Sequence, residues 1–392
     1  MTDTSLPEIN GVTTVLAIMQ QGLRDRGLEV LTVAPAVPGH ADAAGDNGHV
    51  VRRPSIPCPR YPSVRLSWPF DSVVHRALDC FGPDLVHAVT EGPLGLQGRA
   101  FARREGLPFV TSYHTDFPSY ASRYLGRWAV APTTRYLTWF HRPARLTQTP
   151  SGVIAGQLRE LGVARTQVWG RSVDAAAFTP SHRSNDFREE LGARDRFVVL
   201  HVGRLAREKG LDTLIASFRL AHESLGSRAA FWVAGDGPDA PVVRAALPFA
   251  RHLGFIARPL LARLYANADL FVFPSATETC GLVALEAMAS GLPVLGAKAG
   301  GVVESVTPGI TGDLIAPGDA GGFAAGIVAM AWNPEDRHAM SIAARAFASG
   351  RDWSHELDQL VGTYEGLIES GPVATGAAHQ PRLDRDVAVE AS

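Results

Sequence analysis

Two carboxylates, Glu278 and Glu286, stand eight residues apart in 277-TETCGLVALEAMASGLPV-294, directly after the β-rich run 269-DLFVFPS-275. In open α/β sheets ligands bind beyond the carboxyl ends of the strands, so this loop falls where chemistry is expected. Gly281 permits a tight turn, and a helix is predicted from there to Ser290, closed by Gly291. The first backbone N–H groups of that helix, near Cys280–Leu282, would face an anion. Glu286 sits among Ala284, Leu285, Ala287 and Met288, and a carboxylate there is costly unless partnered. A ribose diol is one such partner, while an incidental surface Glu is the plainer alternative.

Two cations follow another strand, in 203-GRLAREKG-210. Arg204 and Lys209 could neutralise a diphosphate, although an R-x4-K pair reads equally well as an exposed basic turn. Only two of the 37 basic residues, Lys209 and Lys298, are lysines, so a lysine at 209 suggests a need for a compact point charge. Gly203 and Gly235, the latter in 235-GDGP-238, would allow close backbone approach at strand ends. In the first half, His114 in 113-YHTDF-117 is a hydrogen-bond or acid–base candidate, or a structural histidine. Asn10 and Gly11 form a sparse phosphate-loop candidate, and Arg171 with Asp174 follow the strand-like run 167-QVWG-170. No Asp-x-Asp after a strand and no His or Cys cluster appears, so no metal is expected, and Arg204, Lys209 and helix N-termini would carry the leaving-group charge.

The elements that must position these residues alternate strand and helix. The strands expected are 29–35, 85–90, 109–114 and 145–150, then 197–203, 230–237, 251–256, 269–275 and 292–297, with helices over 12–28 and 151–162. Two such series mean two doubly wound, Rossmann-like domains, which 392 residues can build. Their expected extents are 1–178 and 179–350, followed by a C-terminal helix in 351–370 and an aperiodic, disordered tail over 371–392. The chain reaches 7-PEING-11 almost at once, so the first strand of the N-terminal sheet is expected to be truncated, with Met1–Thr4 supplying its tip.

Net charge is −2, which offers no general attraction for nucleic acid. Residues up to Phe178 hold 18 Arg against 14 Asp and Glu. Clusters at Arg52–Arg53, Arg99 with Arg103–Arg104, and Arg142 with Arg145 are either solvated faces or a surface for an anionic membrane. Three scattered cysteines, no long apolar run and no basic leader point to a cytoplasmic protein, with peripheral contact at an inner membrane face.

The segments ETCGLVALE, HVGRLAREKGLDTLI, VAGDGP, LYANADLFVFPS and AMASGLPV together resemble glycosyltransferase family 4, of GT-B fold. In the first half, PEINGVTTVL, TEGPLG, SYHTDFPSY and GRSVDAAAFTP are most similar to GDP-mannose-dependent α-mannosyltransferases, and sulfoquinovosyltransferases look alike there. The resemblance implies a metal-independent, retaining transfer of a hexose, with GDP-mannose as the expected donor, to a lipid or glycan hydroxyl. It implies that Arg204 and Lys209 bind the diphosphate, Glu286 the ribose and Glu278 the hexose. The backbone of Cys280–Leu282 would support phosphate and sugar, His114 would line the reaction centre, and Asn10 and Gly11 would approach the diphosphate across the cleft. A UDP-sugar enzyme, or a non-catalytic nucleotide-binding protein of the same fold, is the alternative.

Overall fold

A computed structural model describes residues 1–5, 11–37, 49–58, 61–68 and 71–371. Fourteen strands are named among them. In the first half these are β1 (Thr32–Pro35), β2 (Val50–Arg53), β3 (Ser55–Cys58), β4 (Tyr61–Ser67), β5 (Val86–Ala88), β6 (Phe109–Ser112), β7 (Leu146–Thr149) and β8 (Thr166–Val168). The second half has β9 (Phe197–Val202), β10 (Ala229–Ala234), β11 (Arg251–Gly254), β12 (Leu270–Phe273), β13 (Val294–Ala297) and β14 (Gly312–Ile315).

The second half forms one six-stranded parallel sheet in the order β11-β10-β9-β12-β13-β14. β9 and β10 are interior strands, buried along almost their whole length, as the nearly unbroken apolar runs FVVLHV and AAFWVA require. Apolar clusters cover both faces, one around Trp232 and Tyr265, the other around Phe218 and Phe231. The polar stretch 180–190 folds onto this half as a 3-10 turn and a short helix, with Phe187 buried and Arg188 paired to Asp269 at 3.2 Å.

The first half holds a parallel β5-β6-β7-β8 sheet and a separate parallel pair, β1-β2. Residues 1–4 lie between the two pieces. Thr2 N–H donates to the Val33 carbonyl at 3.0 Å, and Val89 N–H donates to the Met1 carbonyl at 2.9 Å. The expected strand tip is therefore present as a hydrogen-bonded splice without a full ladder. Asp3, buried here, accepts from Leu94 N–H at 3.0 Å and from the Thr90 hydroxyl at 2.7 Å. β3 and β4 form an antiparallel hairpin that was not anticipated, because Pro54, Pro57 and Pro62 argue against a central strand; prolines are tolerated in such peripheral pairs.

The C-terminal helix Trp353–Glu369 returns to the first half. Leu357, Leu360 and Tyr364 pack with Val15, Leu16 and Met19 of the helix Gly11–Arg24, and the Tyr364 hydroxyl meets His87 Nδ1 at 2.6 Å. Each buried large apolar side chain contributes about 1.5–3 kcal/mol, so this helix ties the two halves together. The tail from residue 372 lies outside the described residues.

Candidate active site between the two sheets

The carboxyl ends of β9, β10 and β12 converge. β9 leads into Gly203 and the half-buried Arg204; a 3-10 turn, Arg207–Lys209, follows and leads into the helix Leu211–Leu225. Gly210 at the junction has φ of 71°, and a Cβ there would come 2.5 Å from the Pro274 carbonyl oxygen. The turn is thereby pressed against the end of β12. Lys209 Nζ reaches across to Glu278 Oε1, which also accepts from the Ser275 hydroxyl at 3.0 Å. Burial would lower the pKa of Lys209. The adjacent Glu278, with weaker help from Tyr120 and Glu208, outweighs burial and holds the ammonium charged above the usual lysine range. The two side chains assigned separate roles in sequence thus form one pair.

After β12 the loop turns at Gly281 (φ 77°) into the helix Leu282–Ala289. The loop is backed by the turn Gly300–Glu304. Gly301 N–H donates to the Glu278 carbonyl at 2.7 Å, and a Cβ on Gly300 would stand 2.2 Å from that same oxygen. Glu286 is buried and its carboxylate meets Arg258 at 3.1 Å, so the partner that its apolar surroundings demand is in part supplied by the protein. Cys280 is buried, and burial pushes its thiol up to about 12, which leaves it a protonated packing group against Gly170.

Gly235, with φ of 130°, would place a Cβ 1.8 Å from the Gly203 carbonyl oxygen, so its lack of a side chain admits the neighbouring backbone. Gly203 and Gly235 together allow the two strand-end loops to touch.

His114 lies two residues past β6, on the facing rim. Its backbone carbonyl accepts from the Thr279 hydroxyl at 2.7 Å, which fixes it beside Glu278. Burial lowers the imidazole pKa to about 4, so it is neutral near neutral pH and offers one donor and one acceptor. The helix Phe117–Leu125 extends this contact. Tyr124 donates to Glu208 at 2.5 Å, and the Arg123 guanidinium bonds the Arg207 carbonyl. Gly11, at the start of its helix, faces Leu282, with a Cβ position 3.9 Å from that side chain. Asn10 falls outside the described residues. Arg171 is withdrawn from any ligand role by its pairing with Glu304 and Ser305, and Asp174 accepts from Ala177 N–H at 2.9 Å. Arg258, Ser275, Thr279 and Tyr124 were missed, since each gains its meaning from a partner far along the chain or from a turn that folds back. Among the described residues no group of three or more His, Cys, Asp and Glu could hold a metal ion, and no helix is long and apolar enough to cross a membrane.

The site offers two cations, two carboxylates, a helix N-terminus and a neutral histidine between two Rossmann-like sheets. This is the arrangement of a GT-B glycosyltransferase. Residues 9–177 match Glycosyltransferase Family 4, and residues 196–333 match Glycosyl transferases group 1. The chain is 35% identical over 369 residues to a GDP-mannose-dependent alpha-mannosyltransferase of Mycobacterium tuberculosis, covering 92% of this chain and 94% of that one. It is also 35% identical over 344 residues to sulfoquinovosyl transferase SQD2 of Arabidopsis thaliana, covering 84% of this chain and 66% of that one. In fold it is similar to Anabaena HepE in complex with UDP-glucose, with a TM-score of 0.73, 24% identity and coverage of 93% and 98% of the two chains. The chain belongs to glycosyltransferase family 4.

Proposed function

We propose that the protein transfers a hexose from a nucleotide diphosphate sugar, GDP-mannose in the first instance, to a hydroxyl of a lipid or glycan, with retention and without a metal. One observation supports this reading: the Lys209–Glu278 pair is joined through Thr279 to the backbone of His114, so the residues read as serving diphosphate, hexose and reaction centre stand together. The acceptor oxygen attacks the anomeric carbon on the face that the diphosphate leaves. The bond to the acceptor forms as the anomeric carbon–phosphate oxygen bond breaks, and the acceptor proton passes to the departing diphosphate. Arg204, Lys209 and the N-terminus of Leu282–Ala289 stabilise the negative charge that develops. Glu278 accepts from hexose hydroxyls, and His114, being neutral, can donate to the sugar without attracting the diphosphate away from Lys209.

Mannose is favoured because three GDP-mannose-dependent alpha-mannosyltransferases are 30–35% identical across 92–93% of the chain. The sulfoquinovosyl relative supports a UDP-sugar as the second reading. Thermal shift separates them. At about 100 times Kd a ligand adds about 2.7 kcal/mol of stability, a rise of several degrees. GDP and GDP-mannose are expected to exceed UDP and UDP-glucose; the reverse order transfers the assignment to a UDP-sugar.

The acceptor reading includes contact with an anionic membrane. Two of the basic clusters are neutralised in part, Arg53 by Asp71 and Arg104 by Asp79 and Glu105. Residues 117–145 contain five arginines and no Asp or Glu, and they expose Leu125, Trp128 and Trp139, with Arg99 lying 3.7 Å over the Trp139 ring. Arginines interleaved with exposed indoles suit a headgroup layer, where each basic residue adds about 1 kcal/mol. Flotation with vesicles containing phosphatidylglycerol should recover the protein. Recovery should fall several-fold in an Arg127→Ala, Trp128→Ala variant and in high salt. Equal recovery with purely zwitterionic vesicles removes the anionic-membrane reading.

A further inference from the structure

Arg258 opens the helix Arg258–Ala266, just beyond β11, and belongs to none of the segments assigned to the donor. Its guanidinium meets Glu286 Oε1 at 3.1 Å and lies 5.0 Å from the centre of the Phe178 ring. Glu286 is 8% exposed, whereas the Arg258 side chain is 45% exposed at the rim. The other groups near this carboxylate do not supply positive charge to it. Ala284, Leu285, Ala287 and Met288 of its own helix are apolar and buried. Tyr265, on the Arg258 helix, keeps its proton because burial and the nearby Glu286 both oppose its ionisation. Arg345, on the helix Pro334–Ser349, is committed to the carbonyls of Ala175, Phe178 and Ala289.

A ribose diol presents two O–H donors, so the group that holds it must offer two acceptor oxygens. An ionised carboxylate does; a protonated one converts an acceptor into a donor. We propose that Arg258 is a positioning residue for the nucleotide's ribose: its ion pair keeps Glu286 an all-acceptor carboxylate and fixes the orientation of Oε1. The proposal rests on the reading of Glu286 as the ribose group. Burial pushes the Glu286 carboxyl up to about 7, with Arg258 and, more weakly, the Tyr265 hydroxyl opposing that rise. Its ionised form is therefore gained as pH rises through about 7, and loss of Arg258 moves that window upward.

The test is steady-state kinetics with the donor that thermal shift selects, between about pH 6 and about pH 9. Glu286→Gln should raise donor KM by more than tenfold. Arg258→Ala should raise donor KM about tenfold near pH 7 and approach the parent value near pH 9, with kcat at saturating donor within about twofold. Arg258→Lys should restore most of the affinity, and Arg258→Ala should add nothing in the Glu286→Gln background. A purely structural role for Arg258 would raise KM equally at every pH, or add its cost in that background, and either result overturns the proposal. An unchanged KM in Glu286→Gln removes the ribose reading and this proposal with it. A raised KM there, with a pH-independent Arg258→Ala, removes this proposal alone.

Discussion

Replacing Lys209 with alanine is expected to lower kcat/KM by more than tenfold and toward a hundredfold, with the protein still folded. A charge-assisted hydrogen bond is worth about 1.5–3 kcal/mol, which is roughly 10- to 150-fold in rate when it acts on developing charge. Lys209 is held charged and in place. Burial works against its charge, yet Glu278 in contact keeps the ammonium ionised, so the cation is present before any donor arrives. Its backbone is fixed as well, since Gly210 presses the turn against Pro274 and Ala206 accepts from Lys209 N–H at 2.9 Å. Alanine removes the cation and leaves Glu278, itself largely buried, without its partner. Lys209→Arg should recover only part of the rate, because a planar fork does not fit where a compact ammonium meets one carboxylate oxygen. Glu278→Gln, which leaves the cation in place, should cost less than Lys209→Ala, and the double variant should cost less than the sum of the two. Initial rates at subsaturating donor give these ratios directly, with melting temperatures as the folding control. Turnover unchanged in Lys209→Ala would sink the diphosphate assignment.

Much of this site was legible because its parts are local. Glu278, Gly281 and Glu286 lie within one loop and helix, and Arg204 and Lys209 within one turn, so strand ends and glycines sufficed to place them. The alternation of apolar strands and helices likewise predicted two parallel sheets. The observed strands are mostly shorter than the apolar runs, as at β6, which ends at Ser112 while the β-rich run continues to His114. What the chain hid is pairing at a distance. Arg258 and Glu286 are 28 residues apart, Lys209 and Glu278 are 69, and Thr279 and the His114 carbonyl are 165. Nothing local in either partner announces the other. β14 escaped for another reason: GDLI is short and half polar, and it becomes a strand only because β13 offers it a parallel edge. At Gly235 the sequence shows that a backbone must come close, and the fold adds that the Gly203 carbonyl is one such neighbour.

Glu304→Ala is expected to destabilise the protein by about 3–5 kcal/mol, more than any change on the donor side. Glu304 ends the turn Gly300–Glu304 in the second half, and its carboxylate serves two groups of the first half and its connection. One oxygen accepts from Val153 N–H at 2.7 Å, at the start of the helix Gly152–Glu160, and the other pairs with Arg171. Arg171 has a side chain only 7% exposed, whereas that of Glu304 is 26% exposed. Removing the anion leaves a buried guanidinium with only the Ser305 hydroxyl and a backbone N–H without its acceptor, while Arg171→Met leaves a partly exposed carboxylate that still accepts from Val153. The ranking is therefore Glu304→Ala well above Arg171→Met, and urea denaturation measures it as the change in midpoint at constant m. Equal or reversed costs would show that Glu304 carries no strut. The same turn donates from Gly301 to the Glu278 carbonyl, so the strut between the halves runs directly into the loop that holds the Lys209 partner. A loosened strut should accordingly lower activity even at temperatures where the variant remains folded. That loss should appear in kcat/KM for both substrates, because donor and acceptor rims lose their register together.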